Sequence, residues 1–372
     1  MSQSMDMTGE DIASSHKHRF EHALGHSITP EDRVLITGAA GFIGSRVVEN
    51  LVNRGFRNLL CFTRPSSNFA EIDTIIKRSP QGTHVEIFQG NLLSSADCEA
   101  ACKDVKVILH LAAGIGEKSF PDAFMNSVVA TRNLLEASLR NATLQRFVLV
   151  SSFTVYSNRQ KSRCLDESCP TEEHPEYRGE AYCYAKVRQE QLVAEYGKKF
   201  GIPYVVVRPG SVYGPGNSEI TGRVGIGTFG LFLHLGGSNR IPFTHVENCA
   251  EAIVLAGLVK GVDSEVFNVV DDDLPSSRQF LRWYKNNVKR FKSVYVPHAI
   301  SHAICFMWER YSEWSKGQLP PAFNRQRWHA DWKKTCYSNE KLKRRLGWRP
   351  KLSTEEGMRR YFASCRQGER NA

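Results

Sequence analysis

Val34-Leu35-Ile36-Thr37-Gly38-Ala39-Ala40-Gly41-Phe42-Ile43-Gly44 decides the fold of this 372-residue chain. An apolar strand runs into a glycine-punctuated turn and then into a helix whose Ile43, Val47 and Leu51 share one face. Gly38, Gly41 and Gly44 answer three steric demands: a sharp turn, close approach of the backbone to a pyrophosphate, and close packing of helix on strand. The helix N-terminus directs its amides and partial positive charge at the phosphates. Leu59-Leu60-Cys61-Phe62, about 20 residues on, supplies a second buried strand and completes a dinucleotide-binding βαβ unit.

Working outward, further strands are expected over residues 85–91, 105–113, 146–152 and 204–208, with helical stretches between them. This alternation predicts an α/β fold with a doubly wound parallel sheet. Beyond Gly210 the alternation loosens, with helices expected near 246–258 and 277–291. The expected organisation is a flexible extension over 1–30, a dinucleotide-binding domain over 31–209, and mainly a substrate lobe over 210–365 that returns to the first domain near 241–272.

Composition narrows the function. Hydrophobic content of 41% and charged content of 24% are ordinary for a globular chain, and a net charge of +10 favours an anionic partner. The basic residues of 285–292 and 341–349 come with no nucleic-acid motif, so nucleic acid is not an expected partner. Ten cysteines form no Cys-x-x-Cys pair and read as reduced thiols. Cys98 and Cys102 lack nearby histidines, and His18, His22 and His26 sit in polar surroundings, so no metal site is expected. No secretory signal or membrane span is found, which gives the expectation of a cytoplasmic protein. Residues 294–308 read as an internal helix over the substrate pocket, with peripheral contact to a membrane as the alternative. Trp308, Trp314, Trp328 and Trp332 divide in the same way between core and a lipid-facing belt.

Tyr182 and Lys186 lie one helical turn apart and share a face. An unperturbed phenol is a poor base at neutral pH, and a neighbouring ammonium favours its ionised form. Tyr182 then exchanges protons with an alcohol or carbonyl, while Ser152, at a strand end, holds the same oxygen near a nicotinamide.

With these pieces in order, the chain resembles an extended short-chain dehydrogenase/reductase of the NAD-dependent epimerase/dehydratase family, from about Arg33 to Tyr361. The resemblance is carried by Thr37 to Gly44, His110-Leu111-Ala112-Ala113, Ser151 to Tyr156, Tyr182-Cys183-Tyr184-Ala185-Lys186, Arg208 to Gly216, His245-Val246-Glu247-Asn248 and Leu346-Gly347-Trp348-Arg349-Pro350. It implies that Ser152, Tyr182 and Lys186 are catalytic, with Lys186 also holding the nicotinamide ribose. The cofactor is expected against Gly38, Gly41, Phe42, Ile43, Gly44, Thr63, Arg64, Asn91, Leu92, Leu111, Ala112 and Ala113, with Pro209 and Val212 flanking the nicotinamide. The family's habit of pairing the helix near Asn126 with the Tyr182 helix implies a homodimer.

Departures from the family pattern refine the reading. NAD-preferring members carry an acid just after the second strand, where this chain has Thr63-Arg64. A guanidinium there suits a 2′-phosphate, which favours NADP over NAD. Phe153-Thr154 stands where dehydratases place an acid pair, so an epimerase is expected rather than a dehydratase. The leading substrate is a nucleoside-diphosphate sugar, with Thr154, Arg223 and Arg240 as candidate contacts. The alternatives are a hydroxysteroid or sterol-type dehydrogenase and a noncatalytic NADP(H)-binding sensor.

Overall fold

The computed structural model describes residues 25–371 apart from 115, 117–118, 160–163, 218, 229 and 316–322. His18 and His22 lie outside the described residues.

Seven parallel strands form the central sheet. They are β1 (Arg33–Thr37), β2 (Asn58–Thr63), β3 (His84–Gln89), β4 (Val105–His110), β5 (Arg146–Val150), β6 (Tyr204–Pro209) and β7 (Glu265–Val269), in the spatial order β7-β6-β5-β4-β1-β2-β3. Val34, Leu35 and Ile36 are buried because β1 is covered by helices on both faces, and continuous apolar runs are what such strands require. Each such side chain contributes about 1.5–3 kcal/mol over an exposed one. Strand order reverses between β1 and β4, whose residues pair directly, Leu35 with Ile108 and Thr37 with His110. The crevice at the carboxyl ends of these two strands is where an open α/β sheet binds ligands.

One face of the sheet is covered by α1 (Gly44–Asn53) and α6 (Val246–Leu258), whose Val47, Val48, Leu51, Ile253 and Leu255 join a single core with Ile36 and Val148. The other face is covered by α3 (Ser95–Cys102), α4 (Ala130–Leu139) and α5 (Ala181–Phe200), the Ser95 helix following α2 (Ala70–Arg78). The segment leading into α4 is helical from Phe120–Ala123 onward, through a π-helical stretch at Phe124–Val129.

Two expectations are adjusted here. Strand β7 is added to the six strands expected from the sequence: Val266 pairs with Val206 and Phe267 with Val207, extending the sheet by one strand. The N-terminal extension also ends sooner than residue 30. Ser27 donates to the Leu258 carbonyl, His26 bridges to Val259, and Ile28 enters the core.

A second core gathers Phe153, Tyr213, Phe243, Phe280, Tyr361 and Phe362 beyond the carboxyl ends of the sheet strands. Its elements include α7 (Ser277–Asn287), the strand Ser293–Tyr295, α8 (His298–Trp314), α9 (Arg325–Asp331), α10 (Glu340–Leu346) and α11 (Thr354–Asn371). Asn248, fully buried, accepts from the amides of Lys351 (2.7 Å) and Leu352 (3.0 Å) through its side-chain oxygen, and its carbonyl accepts from the Trp348 indole at 3.0 Å. Two motifs separated by about a hundred residues in sequence are thus one contact.

Candidate active site

The turn after β1 is shaped by steric exclusion. Gly38 has φ +72°, and a Cβ there would lie 3.0 Å from the Ala112 amide nitrogen. A Cβ at Gly44 would lie 2.1 Å from the Gly38 carbonyl oxygen, so only glycine lets α1 sit this close to the strand end. No side chain caps the N-terminus of α1, and its first turn carries no acid, which leaves that end electrostatically open to an anion.

Two adjoining cavities share Gly38, Gly41, Leu111 and Ala113. The first, of ≈ 380 Å³, is lined by Thr63, Arg64, Asn91, Leu92 and Ala112 as well. The second, of ≈ 170 Å³, adds Phe42, Ile43, Gly44, Ser152, Tyr182, Lys186, Pro209 and Val212. Every residue expected to touch the dinucleotide therefore lines one or the other. The fit is supported by two buried hydroxyls in these walls, Thr63 Oγ1 and Ser151 Oγ, which find no hydrogen-bond partner among the described residues; buried polar groups are ordinarily paired, so a ligand oxygen or nitrogen is the expected complement. Ser67, Asn68 and Phe62 also line the first cavity. Sequence reasoning passed over them, although their place just before or after Arg64 was a signal.

Ser152 leaves β5 and caps the 3₁₀ turn Phe153–Val155, its Oγ accepting from the Thr154 amide at 3.2 Å. Tyr182 stands half-buried in the first turn of α5. The phenol differs from expectation. Burial pushes it up to about 12, with a hydrogen bond to Ser152 pulling the other way. Lys186 does not lower it, because the buried ammonium donates to the Val150 carbonyl at 2.8 Å and stands 5.8 Å from the tyrosine ring centroid. Burial brings Lys186 itself down to about 8, against the opposing pull of Glu190. In this state the pair is a phenol that holds its proton beside a lysine that can titrate near neutrality.

His110, from the His-Leu-Ala-Ala motif, is held down at about 3 by burial and by the charge of Lys186. It is a neutral strut, hydrogen-bonded to Thr37 at 2.7 Å and to Thr131 at 2.8 Å, and it ties the end of β1 to α4. Gln189 of α5 donates to Thr131 at 2.7 Å and completes the brace. Neither Thr131 nor Gln189 could be read from sequence, because the contacts span 21 and 58 residues.

The three candidate substrate residues line neither cavity. The Thr154 carbonyl accepts from Arg178 at 2.6 Å and from the Cys183 thiol at 3.2 Å. Arg223 donates to the Ala330 carbonyl at 2.8 Å and faces Asp331 at 3.8 Å. Arg240 is exposed and donates to the Leu274 carbonyl. Both guanidiniums, expected on a diphosphate, are engaged in holding the second core together.

The model of the NAD dependent epimerase/dehydratase family matches residues 34–269, a span that runs from β1 to the seventh strand. The chain belongs to the NAD dependent epimerase/dehydratase family. Within that family it is similar to the trifunctional UDP-glucose 4,6-dehydratase/UDP-4-keto-6-deoxy-D-glucose 3,5-epimerase/UDP-4-keto-L-rhamnose-reductase RHM3 of Arabidopsis thaliana, 25% identical over 88% of this chain and 46% of that protein. It is also similar to the 3 beta-hydroxysteroid dehydrogenase/Delta 5→4-isomerase of Mycobacterium tuberculosis, 32% identical over 52% of this chain and 51% of the relative. The chain thus spans about half the length of the curated relatives it matches. Among solved structures, the UDP-glucuronic acid 4-epimerase of Bacillus cereus in complex with UDP-glucuronic acid and NAD shares the fold, with a TM-score of 0.68 at 20% identity over 90% of this chain and 99% of that one.

Proposed function

We propose that this chain is an NAD(P)-dependent enzyme that oxidises and re-reduces a secondary alcohol of a nucleoside-diphosphate sugar. The observation that carries the proposal is that Ser152, Tyr182 and Lys186 line one cavity with Gly38 and Gly41. The similarity to UDP-sugar enzymes supports the substrate class.

Ser152 holds the substrate oxygen by a hydroxyl hydrogen bond and sets its distance from Tyr182. The Tyr182 phenol, protonated in the free protein, is a ready acid toward a ketone; in the opposite direction it must give up that proton before it accepts one from the alcohol. A bound nicotinamide supplies hydride acceptance and return, and in its oxidised form a positive charge that favours the phenolate. Lys186, fixed on the Val150 carbonyl, is placed to hold a ribose hydroxyl. Arg64, exposed in the first cavity with Ser67 and Asn68, supports NADP over NAD through a guanidinium suited to a 2′-phosphate. Exposed Phe124 and Met125 support a homodimer paired through the helix that carries them.

A second reading, a hydroxysteroid dehydrogenase, is favoured by the 32% identity to the steroid enzyme and by the engagement of Arg223 and Arg240 away from the cleft. Incubation with UDP-hexoses separates the two. The epimerase reading expects interconversion of sugars with no net change in NAD(P)H absorbance. Stoichiometric reduction of cofactor by a 3β-hydroxysteroid, with UDP-hexoses inert, would replace it with the second.

A further inference from the structure

Helix α8 is built inside out. A surface helix normally turns polar residues to water and apolar ones to the core, yet here Ser301, Cys305 and Ser312 are buried while Ile300, Ile304, Phe306, Met307, Tyr311 and Trp314 are exposed. From Ala299 to Met307 every exposed position is apolar. Met307 is 60% and Trp314 77% exposed, which no accidental surface residue explains when five such side chains recur at spacings of four and three along one face. Inside, the helix is held by polar and aromatic contacts: the Trp328 indole donates to the Ser301 hydroxyl at 2.9 Å, and His302 packs edge-on to the same ring at 4.9 Å. The arrangement is therefore fixed, and the expected covering of a substrate pocket by this helix is not what its outer face does.

The segment leading up to this face carries charge of one sign. Residues 274–308 contain Arg278, Arg282, Lys285, Lys289, Arg290 and Lys292 and no aspartate or glutamate, in a chain whose whole net charge is +10. Lys289, Arg290 and Lys292 are exposed directly ahead of the Ser293–Tyr295 strand that leads into α8. The two carboxylates further along the helix are already neutralised, Glu309 by Arg325 at 2.7 Å and Glu313 by Arg310 at 3.0 Å. Lys289 and Lys292 also line an apolar cavity of ≈ 430 Å³ with Leu231, Phe232 and Phe291, a combination that suits a phosphate above an acyl chain.

We propose that the outer face of α8, with the basic segment ahead of it, docks this protein on the surface of an anionic lipid bilayer. An apolar helix face ending in a stacked Tyr311–Trp314 pair and preceded by lysine and arginine is suited to lie in the plane of the interface, about 5–10 Å into the headgroup boundary. No helix among the described residues is long and apolar enough to cross a membrane, so attachment rests on this face. A second copy of the chain fits it less well: one stripe about 25 Å long and about 10 Å wide falls well short of the roughly 800 Å² per partner of a stable interface. Docking does not depend on which alcohol the active site takes.

The test is co-sedimentation of the full chain with vesicles of phosphatidylcholine alone or with about one third phosphatidylglycerol. The wild type is expected to bind the anionic vesicles about tenfold more tightly, and to lose most of that advantage in about 0.5 M NaCl. The double variant Ile304→Asp/Met307→Asp, altered only at exposed positions, should lose at least about tenfold in vesicle affinity while quenching and binding NADH as the wild type does. Lys289→Glu/Arg290→Glu/Lys292→Glu should lose the preference for anionic lipid. A wild type that stays in the supernatant, a double variant that still binds, or indifference to lipid charge and salt would each overturn the proposal. So would a double variant whose only change is a lower oligomer mass in sedimentation, since the face would then belong to a second copy.

Discussion

Along the dinucleotide half of the cleft, every expected residue lines the two cavities; across from it, in the second core, Arg223 and Arg240 are bound to carbonyls and line neither. The first half is specified by short-range geometry. A positive φ at Gly38, the missing Cβ at Gly44 and the one-turn spacing of Tyr182 and Lys186 leave the chain few other arrangements. The second is specified by partners far away in sequence, so a guanidinium that looks available can be claimed by a backbone oxygen a hundred residues on, as Arg223 is by Ala330. Motif-bearing charge is informative where the backbone dictates its position, and ambiguous where packing does.

Four measurements would break or sharpen this contrast. Tyr182→Phe removes the proton-exchanging group and should lower kcat by about 10²–10⁴-fold with cofactor binding intact, measured by turnover and NADH fluorescence titration. Retained turnover would remove the phenol from the chemistry.

The next effect concerns Glu251, a buried carboxylate of α6 that faces Arg54 and Lys351, both at 2.6 Å. Burial would raise its acid strength threshold, but the two cations outweigh it and hold the carboxyl at about 2, below its ordinary 4.5. The folded chain thus gives up this proton more readily than the unfolded one, so its stabilisation is complete above pH 4.5 and lost as pH falls toward 2. Glu251→Gln should cost about 3–5 kcal/mol in chemical denaturation near neutral pH. It should also flatten the acid limb of the stability curve in that window.

Arg64→Ser is expected to raise the KM for NADP about tenfold while leaving that for NAD nearly unchanged, the worth of roughly one charge-assisted contact, about 1.4 kcal/mol. Equal effects on both cofactors would assign Arg64 to adenine stacking. The smallest effect is expected for Arg240→Ala, less than about twofold in KM for any UDP-sugar, because the side chain is spent on the Leu274 carbonyl. A large rise in KM would return this arginine to the diphosphate and erase the contrast between the two halves.

Most of the sheet was legible because its strands are short apolar runs bounded by turns, and the pairing of Tyr182 with Lys186 because the two lie one helical turn apart. Three features were not. The seventh strand, Glu-Val-Phe-Asn-Val, breaks its apolar run with the polar Asn268 and joins the sheet by pairing with Val205 to Pro209. The acidity of Tyr182 depends on where the Lys186 ammonium points, and it points at the Val150 carbonyl. The four tryptophans under comparison look alike in sequence, yet Trp332 is buried on the Gly222 carbonyl and Trp314 lies in the open; only the polarity of the neighbouring helix, read in three dimensions, separates them.

The Asn248 side chain has a bearing on motion. By seizing consecutive amides at Lys351 and Leu352 while its carbonyl takes the Trp348 indole, it rivets the chain just ahead of α11 to the helix behind the nucleotide crevice. A clamshell rotation about one flexible connector would have to tear this rivet open. Any hinged opening of the crevice therefore has to break three hydrogen bonds at one buried asparagine before the halves can separate at this point.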